Sequence, residues 1–162
     1  MWKDGVFLMQ KITIISVGKL KEDFFIKAVA EYQKRLSRDV KLNFIEIPQA
    51  KLPENPGDKE IFMALKKEEE AILKHLKNEF IVALCIEGKQ YKSEEFAEIL
   101  SANNPITFII GSSHGLSDKV KEKANIKLSF SKMTFAHRLF KVMLLEQIYR
   151  GVSILKGTHY HK

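Results

Sequence analysis

The chain alternates between two hydrophobic periods. Lys11–Val17 (KITIISV) alternates between apolar and polar residues, save for the adjacent Ile14 and Ile15, and is rich in isoleucine, the pattern of a β-strand. Gly18 ends it. Over Glu22–Leu36 the apolar positions Phe25, Ile26, Val29, Ala30 and Tyr32 fall near helical spacing. Val40–Ile47 (VKLNFIEI) alternates and predicts a second strand, ended by Pro48. Gln49–Gly57 carries Pro53 and Pro56 and predicts a loop that is long for a compact domain. Asp58–Leu76 predicts a charged helix whose Lys66–Glu70 run (KKEEE) reads as a solvated face. Phe80–Ile86 is apolar throughout, as a central strand buried on both faces would be, and Gly88 marks a turn after it. Ser93–Leu100 predicts a capped helix. Ile106–Ile110 is another buried strand, Gly111 and Gly115 bracket the loop behind it, and Ser117 is placed to cap a short helix. A further short strand leads into the loop Phe130–Phe135, and the long helix Ala136–Leu155 follows.

Strands alternating with helices predict an α/β fold with a mainly parallel sheet, flanking helices, and about five of each element. The loops at Gly111–Gly115 and Phe130–Phe135 then lie beyond the carboxyl ends of strands, where such sheets bind ligands. The final helix leaves only a narrow polar stripe, so nearly its whole circumference must be covered. A symmetric dimer packing these helices together is the economical solution. Insertion of the helix into one monomer's core is the alternative. Residues 1–8 precede the first predicted element and read as an N-terminal extension, with residues 9–162 forming a single domain.

Composition narrows the function classes. The chain has 162 residues, 45% hydrophobic and 29% charged, ordinary values for a soluble domain. No apolar run reaches the roughly 20 residues of a membrane span, and the N-terminus lacks the features of a signal peptide, so the cytoplasm is the expected compartment. A lone cysteine, Cys85, excludes an intrachain disulfide and reads as a buried, inert thiol. The net charge of +7 fits a polyanionic partner such as RNA, although the lysines are scattered and no arginine-rich arm is present.

Several patterns bear on chemistry. Gly111–Gly115 (GSSHG) matches the G-x-S-x-G elbow of serine hydrolases with Ser113 as nucleophile. Downstream acids are limited to Asp118, Glu122 and Glu146, and the chain is short for that fold, so a small serine hydrolase is a minor reading. G-x-G-x-x-G and G-x-x-x-x-G-K-[ST] are both absent, which disfavours dinucleotide and P-loop enzymes. His159 and His161 have no cysteine or carboxylate beside them, so no metal site is expected. Glu146 and Arg150 are four apart, as in an intrahelical pair worth about 0.2–0.5 kcal/mol. Charges in so apolar a helix also suit a site. His137, at the helix start, suits either a structural role or a ligand contact.

Taken together, VGKLKE (Val17–Glu22), AEYQKRL (Ala30–Leu36), PENPGDKE (Pro53–Glu60), LSFSKMTFAH (Leu128–His137), EQIYR (Glu146–Arg150) and the terminal YHK (Tyr160–Lys162) resemble the RlmH family of small bacterial SPOUT methyltransferases. The resemblance runs from about Met9 to Lys162. It implies a SPOUT fold with a C-terminal trefoil knot, a homodimer, and S-adenosylmethionine (SAM) bound in the knot without a metal. It further implies methylation of N3 of a pseudouridine in 23S rRNA within the ribosome. By position, the SAM site would comprise Leu84, Gly111, Phe130, Ser131, Lys132, Met133, Thr134 and Phe135. The target pocket, composite across the dimer, would comprise Glu146, Arg150, Tyr160, His161 and Lys162, with His137 nearby. Glu146 and His161 are then the candidates for taking up the N3 proton, Arg150 for holding phosphate and base, and Tyr160 for stacking. A catalytically silent RNA-binding dimer is the other reading. The chain departs from the family at Ser112, where glycine is usual, and at Ala136, where proline is common.

Overall fold

The computed structural model describes residues 2–3 and 6–162, with side chains from residue 8 onward. Two short strands, β1 (Trp2–Lys3) and β2 (Val6–Phe7), pair antiparallel, so regular backbone begins before the first strand expected from the sequence. Of the extension expected over residues 1–8, residues 1, 4 and 5 lie outside the described residues.

The main sheet has five strands: β3 (Gln10–Val17), β4 (Val40–Ile47), β5 (Phe80–Lys89), β6 (Ile106–Ile110) and β7 (Ile126–Leu128). Their order is β4-β3-β6-β5-β7 and every neighbouring pair is parallel. Parallel strands need crossovers, and five helices supply them or flank them: α1 (Asp23–Leu36), α2 (Asp58–Leu73), α3 (Ser93–Ala102), α4 (Asp118–Lys123) and α5 (His137–Leu155). Strand alternation sorts the core onto two faces. Ile12, Ile14, Ile106 and Phe108 pack with Val29 of α1, Phe96 of α3 and Leu144, Leu145 and Ile148 of α5. Ile15, Val17 and Ile109 pack on the other face with Ile72 of α2 and Val120 of α4. The Ser117 hydroxyl accepts from the Val120 N–H at 3.3 Å, so it caps α4 as expected.

Four details differ from the sequence pattern. β6 is the middle strand; β5 is an interior strand paired on both sides, as expected, but lies next to the edge strand β7. β5 also runs on through Gly88 instead of turning there, because β7 passes against it: a Cβ at Gly88 would sit 2.7 Å from the Leu128 and Lys127 carbonyl carbons. The Lys66–Glu70 run is not wholly solvated. Ala64, Glu68, Glu69 and Ile72 form the inward stripe of α2, and both carboxylates are buried. Finally, α5 is not at an edge. It lies between α1 and α3 on one face of the sheet, and each of its residues is buried or half-buried within the chain. Insertion into one protomer's core therefore accounts for most of its apolar circumference, although Leu139, Val142 and Met143 remain half-exposed.

The close approach at Gly88 makes a prediction. Gly88→Ala must push β7 aside, and overpacking of this kind costs about 1–3 kcal/mol. Urea unfolding should register that loss; unchanged stability would contradict the contact.

Candidate active site

Because the five strands are parallel, their carboxyl ends share one edge of the sheet. Two loops meet there. The first, residues 111–117, turns sharply: the Gly115 N–H donates to the Ser112 carbonyl at 2.9 Å and Gly115 has φ +80°. Gly111 is required by its own turn, since a Cβ there would lie 2.3 Å from the Gly115 carbonyl oxygen. The second loop, residues 129–136, is shaped by serine hydroxyls. Ser129 Oγ donates to the Ser131 carbonyl at 2.9 Å, and Ser131 Oγ accepts from the Met133 N–H at 3.0 Å. Phe140 of α5 stacks on Phe130 and meets Phe135 edge-on, pinning both ends of this loop.

Between the loops and the end of β5 lies a cavity of about 320 Å³. Of the residues expected at a cofactor site, Leu84, Gly111, Phe130, Ser131, Met133, Thr134 and Phe135 line it. Lys132 is exposed and is not among the lining residues. β6 and β7 are not adjacent strands; their loops converge across the end of β5. Cys85, Ile86 and Glu87 of β5 also line the cavity, a place the sequence did not assign them. The Cys85 thiol is pushed up by burial and then by the Glu87 carboxylate, so it stays protonated and inert. Glu87 itself is ion-paired to Lys121 at 2.5 Å.

His137 lines the same cavity from the start of α5. Its Nε2 is buried without a hydrogen-bond partner and lies 3.8 Å from where a Cβ on Gly18 would be. Burial, and then the neighbouring Arg138 guanidinium, hold the imidazole below its ordinary value of 6.5, against a smaller opposing pull from Glu22. The neutral ring is thus favoured by folding. This contribution is present above the unfolded-state value and is lost as pH falls through the depressed one. In an NMR titration the His137 ring should show a midpoint below 6.5; a midpoint above that value would contradict the burial.

The other expected site residues gather elsewhere. Glu146 lies nine residues further along α5, roughly 13 Å down the axis at 1.5 Å per residue. Its Oε1 accepts from Arg150 Nε (3.0 Å) and Nη2 (2.7 Å) and from the Tyr160 hydroxyl (3.2 Å), while its Oε2 accepts from Gln147 Nε2 (2.7 Å). The Arg150 guanidinium covers the Tyr160 ring, 4.8 Å from its centroid. His161 Nδ1 is 3.3 Å from Arg150 Nη1, and its Nε2 is 3.1 Å from Glu94 of α3. Burial, and then the Glu146 carboxylate, push the Tyr160 phenol up, so it remains a donor. Lys162 is exposed at the chain end. A second cavity, of about 420 Å³, opens beside Glu146 and Gln147, and Leu128, Ser129 and Phe130 line both cavities. His137 is therefore on the first cavity, and Glu146 on the second.

A family model described as "Predicted SPOUT methyltransferase" matches residues 10–161. The chain belongs to this SPOUT methyltransferase family. A protein of Clostridium botulinum (strain Kyoto / Type A2), called ribosomal RNA large subunit methyltransferase H, is 53% identical over 93% of this chain and 99% of its own. Its counterpart of the same name in Clostridium botulinum (strain Okra / Type B1) is also 53% identical with the same coverage. A Methanococcus vannielii protein is 55% identical, again over 93% of this chain and 99% of its own.

The two positions at which the resemblance led us to expect departures are both defined in the structure. Ala136 has φ −56°, an angle proline also adopts. Ser112 is buried, and its hydroxyl donates to Glu68 Oε2 at 3.0 Å. Ser113 is exposed and its Oγ lies 3.3 Å from Nδ1 of the adjacent His114. Among the described residues no carboxylate hydrogen-bonds that ring, so the elbow lacks the third member of a hydrolase triad. Among the same residues, no group of three or more His, Cys, Asp or Glu is placed to hold a metal, and no helix is long and apolar enough to cross a membrane.

Proposed function

We propose that this chain is a SAM-dependent rRNA methyltransferase, acting on N3 of a pseudouridine in 23S rRNA as a cytoplasmic homodimer, with its C-terminal path threaded as a trefoil knot. The observation that carries the reading is the convergence of the two loops on one cavity at the strand ends. The cavity suits SAM on its own terms. Gly111 allows the tight turn that carries residues 111–116 along the cavity wall, where backbone amides and carbonyls can approach an adenine edge. Leu84, Phe130 and Phe135 supply apolar wall for the ring. The named relatives methylate ribosomal RNA of the large subunit according to their names, which supports the same class of substrate.

Bound SAM supplies a methyl group already activated on a sulfonium. The protein's part is then to hold the acceptor nitrogen in line and to let its proton leave. The Glu146 cluster fits the first task. Arg150, fixed by two bonds to one carboxylate oxygen, offers a rigid cation for phosphate or a base carbonyl, and Tyr160 offers a ring face. Glu146 and His161 are the basic groups of that cluster and take the N3 proton, directly or through water. Dimerisation is supported by the half-exposed Leu139, Val142 and Met143 on α5 and by exposed Phe24 and Ile26 on α1, which packs against α5.

The deciding experiment incubates the purified protein and labelled SAM with ribosomes from a strain lacking the gene. Nucleoside mass spectrometry should show one new N3-methylpseudouridine in 23S rRNA. No methyl incorporation, or incorporation elsewhere, would overturn the assignment.

A further inference from the structure

We propose that Glu68 is a positioning residue for the cofactor loop and that it acts through Ser112. The proposal rests on the reading that the cavity between the loops binds SAM.

Glu68 lies on α2, outside the cavity lining, with 5% of its surface exposed. A carboxylate is costly to bury, and an apolar side chain would fill the same space more cheaply. Here both oxygens are used. Oε1 accepts from the Ala50 N–H at 3.1 Å, and Oε2 accepts from the Ser112 hydroxyl at 3.0 Å. One side chain thus joins three segments distant in sequence: α2, the proline-containing loop after β4, and the loop after β6. Burial pushes the Glu68 carboxyl upward, while the bonds from Ala50 and Ser112 pull it back.

Ser112 is the useful end of this link. It is 7% exposed, follows Gly111, and its carbonyl receives the Gly115 N–H that closes the turn. Fixing Ser112 therefore fixes the backbone that floors the cavity. The adjacent Glu69 pairs with Lys66 of the same helix at 3.1 Å. A loop held through Ser112 does not have to be ordered by its ligand, which raises affinity without touching the reacting atoms.

The test is calorimetric titration of SAM into the full chain, together with steady-state methylation at saturating SAM. Ser112→Ala and Glu68→Leu should each weaken SAM binding about tenfold while kcat stays within about twofold. The double variant should be no weaker than the worse single variant, because both remove one link. If the single variants bind SAM as the unaltered protein does, or if their effects multiply in the double variant, Glu68 does not act through Ser112. Ser112→Ala deletes a single hydroxyl and keeps the test available should Glu68→Leu unfold. Failure of the unaltered chain to bind SAM would instead defeat the cofactor assignment itself.

Discussion

Gly111→Ala is expected to weaken SAM binding by about 10- to 100-fold and to lower stability to urea. The added methyl would meet the Gly115 carbonyl oxygen at 2.3 Å, its carbonyl carbon at 2.5 Å and Leu116 Cγ at 3.0 Å. Two of these are backbone atoms within the same turn, so no rotamer change relieves the clash. The turn must open, and overpacking of this kind costs about 1–3 kcal/mol. At about 1.4 kcal/mol per tenfold, that range sets the expected loss if the displaced loop is paid for on binding. Gly115→Ala is the informative control. Its φ of +80° strains any side chain, but no atom lies within 4 Å of the new Cβ. Backbone strain alone costs about 1–2 kcal/mol, and the new methyl displaces no protein atom. Calorimetry should therefore rank Gly111→Ala well below Gly115→Ala in affinity. Equal affinities, or unchanged binding in Gly111→Ala, would show that the turn does not shape the cofactor site.

What the sequence made legible was the local part of this arrangement. Alternation marked Val40–Ile47 to the residue, and the apolar run Ile106–Ile110 is a strand buried along its whole length. The glycine-bounded loop and the serine-rich loop were both placed at strand ends, where the cavity is. What escaped was non-local. Which strand stands between the loops depends on sheet order, and periodicity carries no record of it. Gly88 illustrates this: a turn and a close backbone contact ask for the same residue, and only the position of β7 separates them. The burial of α5 followed from its circumference, but the choice between a second protomer and the chain's own α1 and α3 did not. Glu68 escaped because a lysine–glutamate run on a helix usually faces water. Its inward setting depends on two donors, Ala50 and Ser112, remote in sequence. His137 and Glu146 likewise share one helix and still serve different cavities, since nine residues of rise separate them.

That separation leads to the second large effect. Glu146→Ala should reduce methyl transfer by about 10²- to 10³-fold, in the range of losing one well-placed polar group from an active site, while SAM affinity changes by less than about threefold. The carboxylate gathers Arg150, Gln147 and Tyr160, so its removal frees the guanidinium and unties the tail at Tyr160. His161 then depends on Glu94 alone to stay near α5, because Arg150 no longer has a fixed position. Glu146→Gln keeps an oxygen acceptor of nearly the same shape but loses the charge that orients Arg150, so it should fall between the two. Arg150→Lys separates charge from geometry: lysine retains the cation but not the planar fork that binds one carboxylate oxygen twice. It should resemble Glu146→Ala more closely than the unaltered enzyme. The cofactor cavity does not include Glu146, which is why binding of SAM should survive all three changes. Circular dichroism and SAM calorimetry on each variant establish that the fold is intact before turnover is compared. Full methylation by a folded Glu146→Ala protein would remove this cluster from the target site. A parallel loss of SAM binding would instead mean that the two cavities on either side of Leu128–Phe130 work as one.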